Sequence, residues 1–317
     1  MTITPGRSPL DDAAVDDPAH TIDLGSDADA QTSTLAQVRR EQRQVLLRSP
    51  AFIIGVAILA FWTLSAIWPE LLTEWGPKDT VRNAAGDSLI RTSPNGDAWF
   101  GTDRLGRDVY SRVVFGARPI LIAAPLATVI SAFFGTLIGL FSGYYRGWID
   151  EIISRVLEAI LSIPSILLAI VIVFTFGPTY PVIIGTIAFL FVPPLARTVR
   201  AATLAESQLD YVTAARMRGE SSLFIIAREI FPNVIGVVTV EITVRLGYAI
   251  FAIATLAFLG LGGGNATDAD WGKDVAANYN NIIADVWWPT IFPALAIGSL
   301  VIGVNLIADA VDRANSS

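Results

Sequence analysis

PILIAAPLATVISAFFGTLIGLFSGYY, residues 119–145, runs for 27 residues without one Asp, Glu, Lys or Arg. At about 1.5 Å per helical residue, roughly 20 residues cross the ~30 Å hydrocarbon core of a bilayer, and this stretch is longer than that. Its apolar residues lie on every side of a helix, whereas a helix on a soluble core keeps one polar face. Four more blocks are equally free of charge: Ser49–Pro69, Ala159–Ala196, Leu246–Thr267 and Val286–Ala308.

Composition agrees with these blocks. Of the 317 residues, 53% are hydrophobic and 16% charged, against about 25% charged in an ordinary soluble domain. The chain is read as an all-α integral membrane protein with six transmembrane helices. The first apolar run starts only after residue 48, which fits an anchor and not a cleaved leader. No cysteine is present, which excludes disulfides, thiolate zinc sites and Cys nucleophiles, and the single histidine, His20, sits in a polar tail. No metal site and no catalytic residue is therefore expected. The net charge of −7 comes largely from that tail, where seven aspartates in the first thirty residues face one basic residue, Arg7. Too few large apolar residues are there to form a core, so residues 1–35 are read as disordered.

Residues 36–48, AQVRREQRQVLLR, are basic and helix-prone, and Arg39, Arg40, Arg43 and Arg48 mark a cytoplasmic start by the positive-inside rule. The spans expected from there are about 50–69, 119–143, 152–176, 182–197, 232–259 and 288–309, with both termini cytoplasmic. Gly177-Pro178-Thr179-Tyr180-Pro181 divides the longest apolar block, because consecutive Gly and Pro end a helix. The resulting division is a tail at 1–35, a basic helix and first span at 36–69, an extracytoplasmic segment at 70–118, a core of five spans at 119–311 and a C-terminal tail at 312–317. The core includes a cytoplasmic loop at 198–230.

Segment 70–118 strains this topology, since Arg104, Arg107, Arg112 and Arg118 lie on the side that should be poor in positive charge. Its seven basic residues are matched by seven acidic ones. Leu105, Val109 and Val113 form an i, i+4, i+8 stripe, which predicts an amphipathic helix on the membrane surface, with a protein-docking surface as the alternative. Within the fifth span, Glu241 and Arg245 stand at i, i+4 and can pair on one face. They line a pathway or form a structural ion pair, since intramembrane charges mark one or the other. Gly260–Gly264 is glycine-rich, but no Gly-Lys-Ser/Thr follows, so it is read as a flexible turn and not a phosphate loop.

The loop between spans four and five holds the most informative polar residues. Asp210, Tyr211, Thr213, Ala214, Ala215, Arg216 and Arg218 suit a short helix, and Gly219 supplies the positive φ that ends one. On local chemistry alone the segment is either a solvated interhelical loop or a docking element, in which small alanines let a partner approach closely and Arg216 and Arg218 pair with its acidic groups.

This loop resembles the EAA loop of ATP-binding-cassette (ABC) importer permeases. The spacing from Ala215 to Gly219 to Pro232 matches; Thr213 stands for the glutamate, Glu229 for an isoleucine and Phe231 for a leucine. Tyr211–Gly219 fits the form Y-V-x-A-A-R-x-x-G of the peptide/nickel subfamily. Gly101–Arg112 is similar to the G-T-D-x-x-G-R-D-V-x-S-R segment of the second permease subunit of dipeptide and oligopeptide importers. Phe115–Arg118, Ile163-Pro164-Ser165, Phe258–Gly262 and Trp271-Gly272 follow in that subunit's order, while Gly263–Asp270 replaces its Pro-containing stretch.

The resemblance implies a type I importer permease fold with a cytoplasmic coupling helix at about 206–219, in a bacterial plasma membrane. It implies a non-enzymatic subunit that binds no cofactor, with ATP and Mg on partner ATPases. The implied partners are a second homologous permease, two ATPase subunits or one fused ATPase, an extracellular substrate-binding lipoprotein and membrane lipid, but not nucleic acid. The substrate would be a di- or oligopeptide, with a nickel chelate or other peptide-like ligand as the alternative. A self-sufficient secondary transporter is the rival from another class. On the docking reading, Ala215→Glu uncouples ATP hydrolysis from uptake.

Overall fold

The structure, a computed structural model, describes residues 49–82 and 86–316. The acidic tail and the basic segment 36–48 lie outside the described residues.

Ten helices order the described residues: α1 Pro50–Ile67, α2 Val109–Phe115, α3 Ala117–Tyr145, α4 Gly147–Leu161, α5 Ser165–Phe176, α6 Tyr180–Glu206, α7 Asp210–Met217, α8 Ser222–Leu261, α9 Trp271–Asn278 and α10 Trp288–Ser316. Short 3₁₀ turns at Pro69–Leu71 and Tyr279–Ala284 complete the described helical elements. Among the described residues, five helices are long and apolar enough to span a bilayer: α1, the continuous α2–α3 unit, α6, α8 and α10.

The expected third span is not one straight helix. α4 and α5 meet at 84° across Ser162–Pro164 and count as a sixth span only as a bent pair. Pro164 has no N–H to donate to the preceding turn, so the ladder stops before it. α4 also carries Asp150, Glu151, Arg155 and Glu158, and α5 alone, with 12 residues, reaches only about 18 Å.

Each crossing reverses direction, which puts the described start of the chain and its end on one side of the bundle, with the α6–α8 loop. This side is the loop end. The segments 68–82, 86–108, 177–179 and 262–287 lie opposite, at the cap end.

A glycine seam sets the closest helix pair. Gly135, Gly139 and Gly143 recur every fourth residue along α3 and face Leu195, Val199 and Thr203 of the parallel α6. A Cβ on any of the three would lie 2.7 Å from one of those side chains, and at Gly139 it would also lie 2.8 Å from the Ala196 carbonyl. Small residues at this spacing let two backbones come together where apolar lipid gives no hydrophobic drive for association. α1 crosses α10 in the same manner at Gly55 and Gly303, and Trp62 Nε1 donates to Ser299 Oγ at 2.9 Å.

α8 is longer than the expected span because it begins before Pro232. A π-helical turn at Ile225–Ile230 precedes the proline, and a second widened turn starts at Ala257 and breaks at Gly260, whose φ is 83°. A widened turn is one way to carry a helix past a residue that cannot donate.

Filling the seam with Gly139→Val should destabilise the protein by about 1–3 kcal/mol through overpacking, seen as a lower thermal midpoint in detergent. Gly298→Ala, which meets open space, serves as the control and should leave the midpoint unchanged.

Candidate functional site

At the loop end, α6 runs past the expected boundary near residue 197 because polar ties hold its extension. Arg200 forms a two-pronged ion pair with Asp150 of α4, and Arg146 donates to Ser207 Oγ at 2.9 Å. α7 follows, shorter than the expected helix at 206–219. It ends in a Schellman motif: Gly219, at φ 79°, donates to Arg216 O at 3.0 Å, and Glu220 N donates to Ala215 O at 3.3 Å. Ser221 then caps α8 by accepting from Phe224 N.

The orientation of α7 corrects the expected contact face. Ala215 and Val212 are fully buried and pack with Ile225, Ile226, Ile230 and Val234 of their own chain. Ala214 and Tyr211 are half-buried. The exposed face is formed by Leu209, Asp210, Thr213 and Met217, with Met217 79% exposed. Ala215→Glu would therefore force a charge into the chain's own core and would report on folding.

The arginines expected to reach a partner are also engaged within the chain. Arg216 lies over the Tyr144 ring of α3, 4.9 Å from its centroid. Arg218 pairs with Glu220 at 3.2 Å and Glu229 at 3.6 Å. Tyr211 Oη donates to Glu206 Oε1 at 2.5 Å and accepts from Asn233 Nδ2 at 3.0 Å. Burial, and then the Glu206 carboxylate, push the Tyr211 hydroxyl up to about 12, so it stays a donor at physiological pH. α7 is thereby fixed to α3, α6 and α8 together.

In α8, Glu241 and Arg245 form the ion pair that their spacing allows, with contacts of 2.7 and 3.0 Å. The Arg245 guanidinium also lies 5.8 Å from the Phe191 ring centroid of α6.

The cap end explains the arginine-rich segment. No membrane-surface helix spans 101–118. Residues 101–108 form turns, and α2 packs Val109 and Val113 into the protein core while Leu105 stays exposed. Arg107 pairs with Asp103 at 2.6 Å and Arg112 with Asp274 of α9 at 2.5 Å, all four side chains buried. Arg112 donates further to the carbonyls of Pro77, Thr267 and Asp268. Two of the four arginines that conflicted with the positive-inside rule are thus neutralised inside the protein, and Arg104 and Arg118 are exposed.

The quoted motifs interlock here. A Cβ on Gly116 would lie 2.5 Å from the Trp271 ring, and one on Gly272 would lie 2.3 Å from Ala254 O of α8. Trp271 Nε1 donates to Val113 O, and Trp288 Nε1 to Thr102 O. Within the glycine run at 260–264, Gly262 and Gly263 are packed as well, while Gly260 meets open space. Gly263 abuts Tyr180, Gly262 abuts Lys273, and Lys273 Nζ donates to Gly263 O. Sequence reasoning missed Asp274 because the partner of Arg112 stands 162 residues away.

The described residues thus form a membrane bundle with a braced interhelical helix at one end and a locked cap at the other. The family model described as binding-protein-dependent transport system inner membrane component matches residues 135–317. The chain is 36% identical over 270 residues to the dipeptide transport system permease protein DppC of Alkalihalophilus pseudofirmus, covering 85% of this chain and 86% of the relative. A putative peptide transport system permease protein of Brucella suis is 37% identical over 264 residues, 83% and 86% of the two chains. The glutathione transport system permease protein GsiD of Pectobacterium atrosepticum is 34% identical over 268 residues, 84% and 86%. The chain belongs to the family of binding-protein-dependent transport system inner membrane components, the permease subunits of ABC importers.

The Asp274–Arg112 pair yields a pH prediction. Burial raises the Asp274 carboxyl from its usual range to about 6, with Arg112 pulling the other way. Because the folded pKa is raised, the stability tied to this proton is present below pH ~4 and lost as pH rises through ~6. Arg112→Ala leaves the carboxylate buried without a partner and should cost about 3–5 kcal/mol. Loss of Arg112 also raises the Asp274 carboxyl further, so that deficit should be largest at high pH and shrink as pH falls toward ~6, where the neutral acid needs no cation. Thermal unfolding across that range measures it.

Proposed function

We propose that this chain takes up di- or oligopeptides across a bacterial plasma membrane as one of two homologous permeases that share a translocation pathway. The loop end faces the cytoplasm, and α7 is the coupling helix seated on an ATPase subunit. Two ATPases, or one fused chain, bind ATP and Mg, and a substrate-binding lipoprotein delivers the peptide at the cap end. The names of the relatives support the peptide class.

The observation that carries the coupling reading is the bracing of α7. It presents Leu209, Asp210, Thr213 and Met217 outward while Ala215, Arg216, Arg218 and Tyr211 tie it to three long helices. A helix held this way moves the bundle when a partner moves it, and the partner's nucleotide state and the permease's conformation then bias one another. Glu241 and Arg245, each satisfied by the other, act in this reading as a structural pair at the α6–α8 contact.

The chain has no cysteine, so single cysteines report cleanly. In assembled transporter in vesicles, Met217→Cys should react with an impermeant maleimide only from the cytoplasmic side and be protected by the ATPases. Trp99→Cys should react only from the other side. Met217→Arg should abolish uptake while ATP hydrolysis continues. Unimpaired uptake by Met217→Arg, or uptake by the isolated chain without ATPases, would refute the proposal.

A further inference from the structure

At the cap end, the turn 70–75, the loop around Asp97 and the start of α2 enclose a pocket of about 400 Å³. Its charge is one-sided. Glu70, Glu74 and Asp97 stand at its exposed rim and Asp108 at its buried side, while no Lys, Arg or His lines it. Among the described residues, none of the four carboxylates is in an ion pair, although Arg107 and Arg112 nearby are both paired elsewhere.

Asp108 adds an independent sign of a missing partner. It is 3% exposed, and its Oδ2 caps α2 by accepting from Ser111 N at 2.7 Å. Its other oxygen, Oδ1, is buried with no hydrogen-bond partner. A buried carboxylate oxygen left unpaired is costly, and such groups call for a donor. Burial raises the Asp108 carboxyl above its usual range, the direction that a bound cation would reverse.

The remaining walls favour an organic cation over a bare ion. Trp75, Trp99 and Tyr110 line the same pocket, with the Trp99 and Tyr110 rings 5.3 Å apart and Trp99 68% exposed. Aromatic faces attract ammonium and guanidinium groups. No three carboxylates among the described residues converge closely enough to hold a metal ion. Charges spread around a pocket of this size suit a ligand that carries its charge on an aliphatic stem.

We infer that this pocket binds a small soluble organic cation, an ammonium or guanidinium group on a short aliphatic chain, with Asp108 as its buried anchor. The site lies apart from α7, so it stands or falls separately from ATPase coupling.

Equilibrium dialysis of radiolabelled cadaverine against the full chain in phosphatidylcholine nanodiscs, at constant ionic strength, tests the inference. Saturable binding is expected, displaced by arginine methyl ester and not by 1,5-pentanediol. The rim variant Glu74→Gln/Asp97→Asn removes two exposed charges that are in no ion pair among the described residues, and should weaken binding about tenfold. Asp108→Asn keeps an oxygen to cap α2 and should weaken binding at least as much. Absence of saturable binding by the unaltered chain, or binding by the rim variant equal to it, would overturn the inference.

Discussion

The Arg112 guanidinium, buried against Asp274, is the interaction on which the arrangement of the cap depends. It holds three separate stretches at once: the turn at Pro77, the loop at Thr267 and Asp268, and α9 through Asp274. Isolating a charge from water costs several kcal/mol, and that cost is met only when its donors are all used. Here five contacts surround one side chain and tie the loops at this end to one another, while Asp274 Oδ2 stays buried without a partner. Trp271 then completes the lock, with its indole on Gly116, its N–H on Val113 O and its ring edge-on to Trp62 of α1.

The two ends of the bundle are built differently for a physical reason. The cap is stabilised by buried charge and aromatic packing between distant loops. The loop end is stabilised by contacts along one folded-back segment, α6 to α8, in which apolar residues of α7 insert under α8 and polar ones tie to neighbours. Between them the helices are held by small residues, since apolar side chains gain little from leaving lipid for protein. The seam of Gly135, Gly139 and Gly143 lets the α3 and α6 backbones touch.

Five of the six expected spans were legible because a long stretch with little or no charge has one stable outcome in a bilayer. The turn at Gly219 was legible too, since a positive φ after a helix favours glycine. What the sequence hid were the pairings. Arg107 and Arg112 read as surface charges because their partners are found only in the fold, Asp103 across a tight turn and Asp274 far along the chain. Ala215 read as a contact for a partner, but small size is equally what the underside of a helix lying on its own bundle requires. The bend at Pro164 was marked by the proline itself, yet hydropathy averaged across it.

α8 links the two ends. Its 40 residues begin beneath α7 and finish against α9, a length of about 60 Å. Its two widened turns sit near these ends, Ile225–Ile230 under α7 and Ala257–Leu261 beside Gly272. A widened turn is a natural place for a long helix to change direction while its middle stays straight. Under the proposed coupling, a push on α7 reaches Ile225, Ile226 and Ile230 first, and the rigid stretch after Pro232 carries it toward Ala254. Gly272 presses there on the backbone carbonyl with no side chain between. The direct backbone contact matters because a flexible side chain at that point would absorb a small displacement, whereas two touching backbones pass it on to the cap.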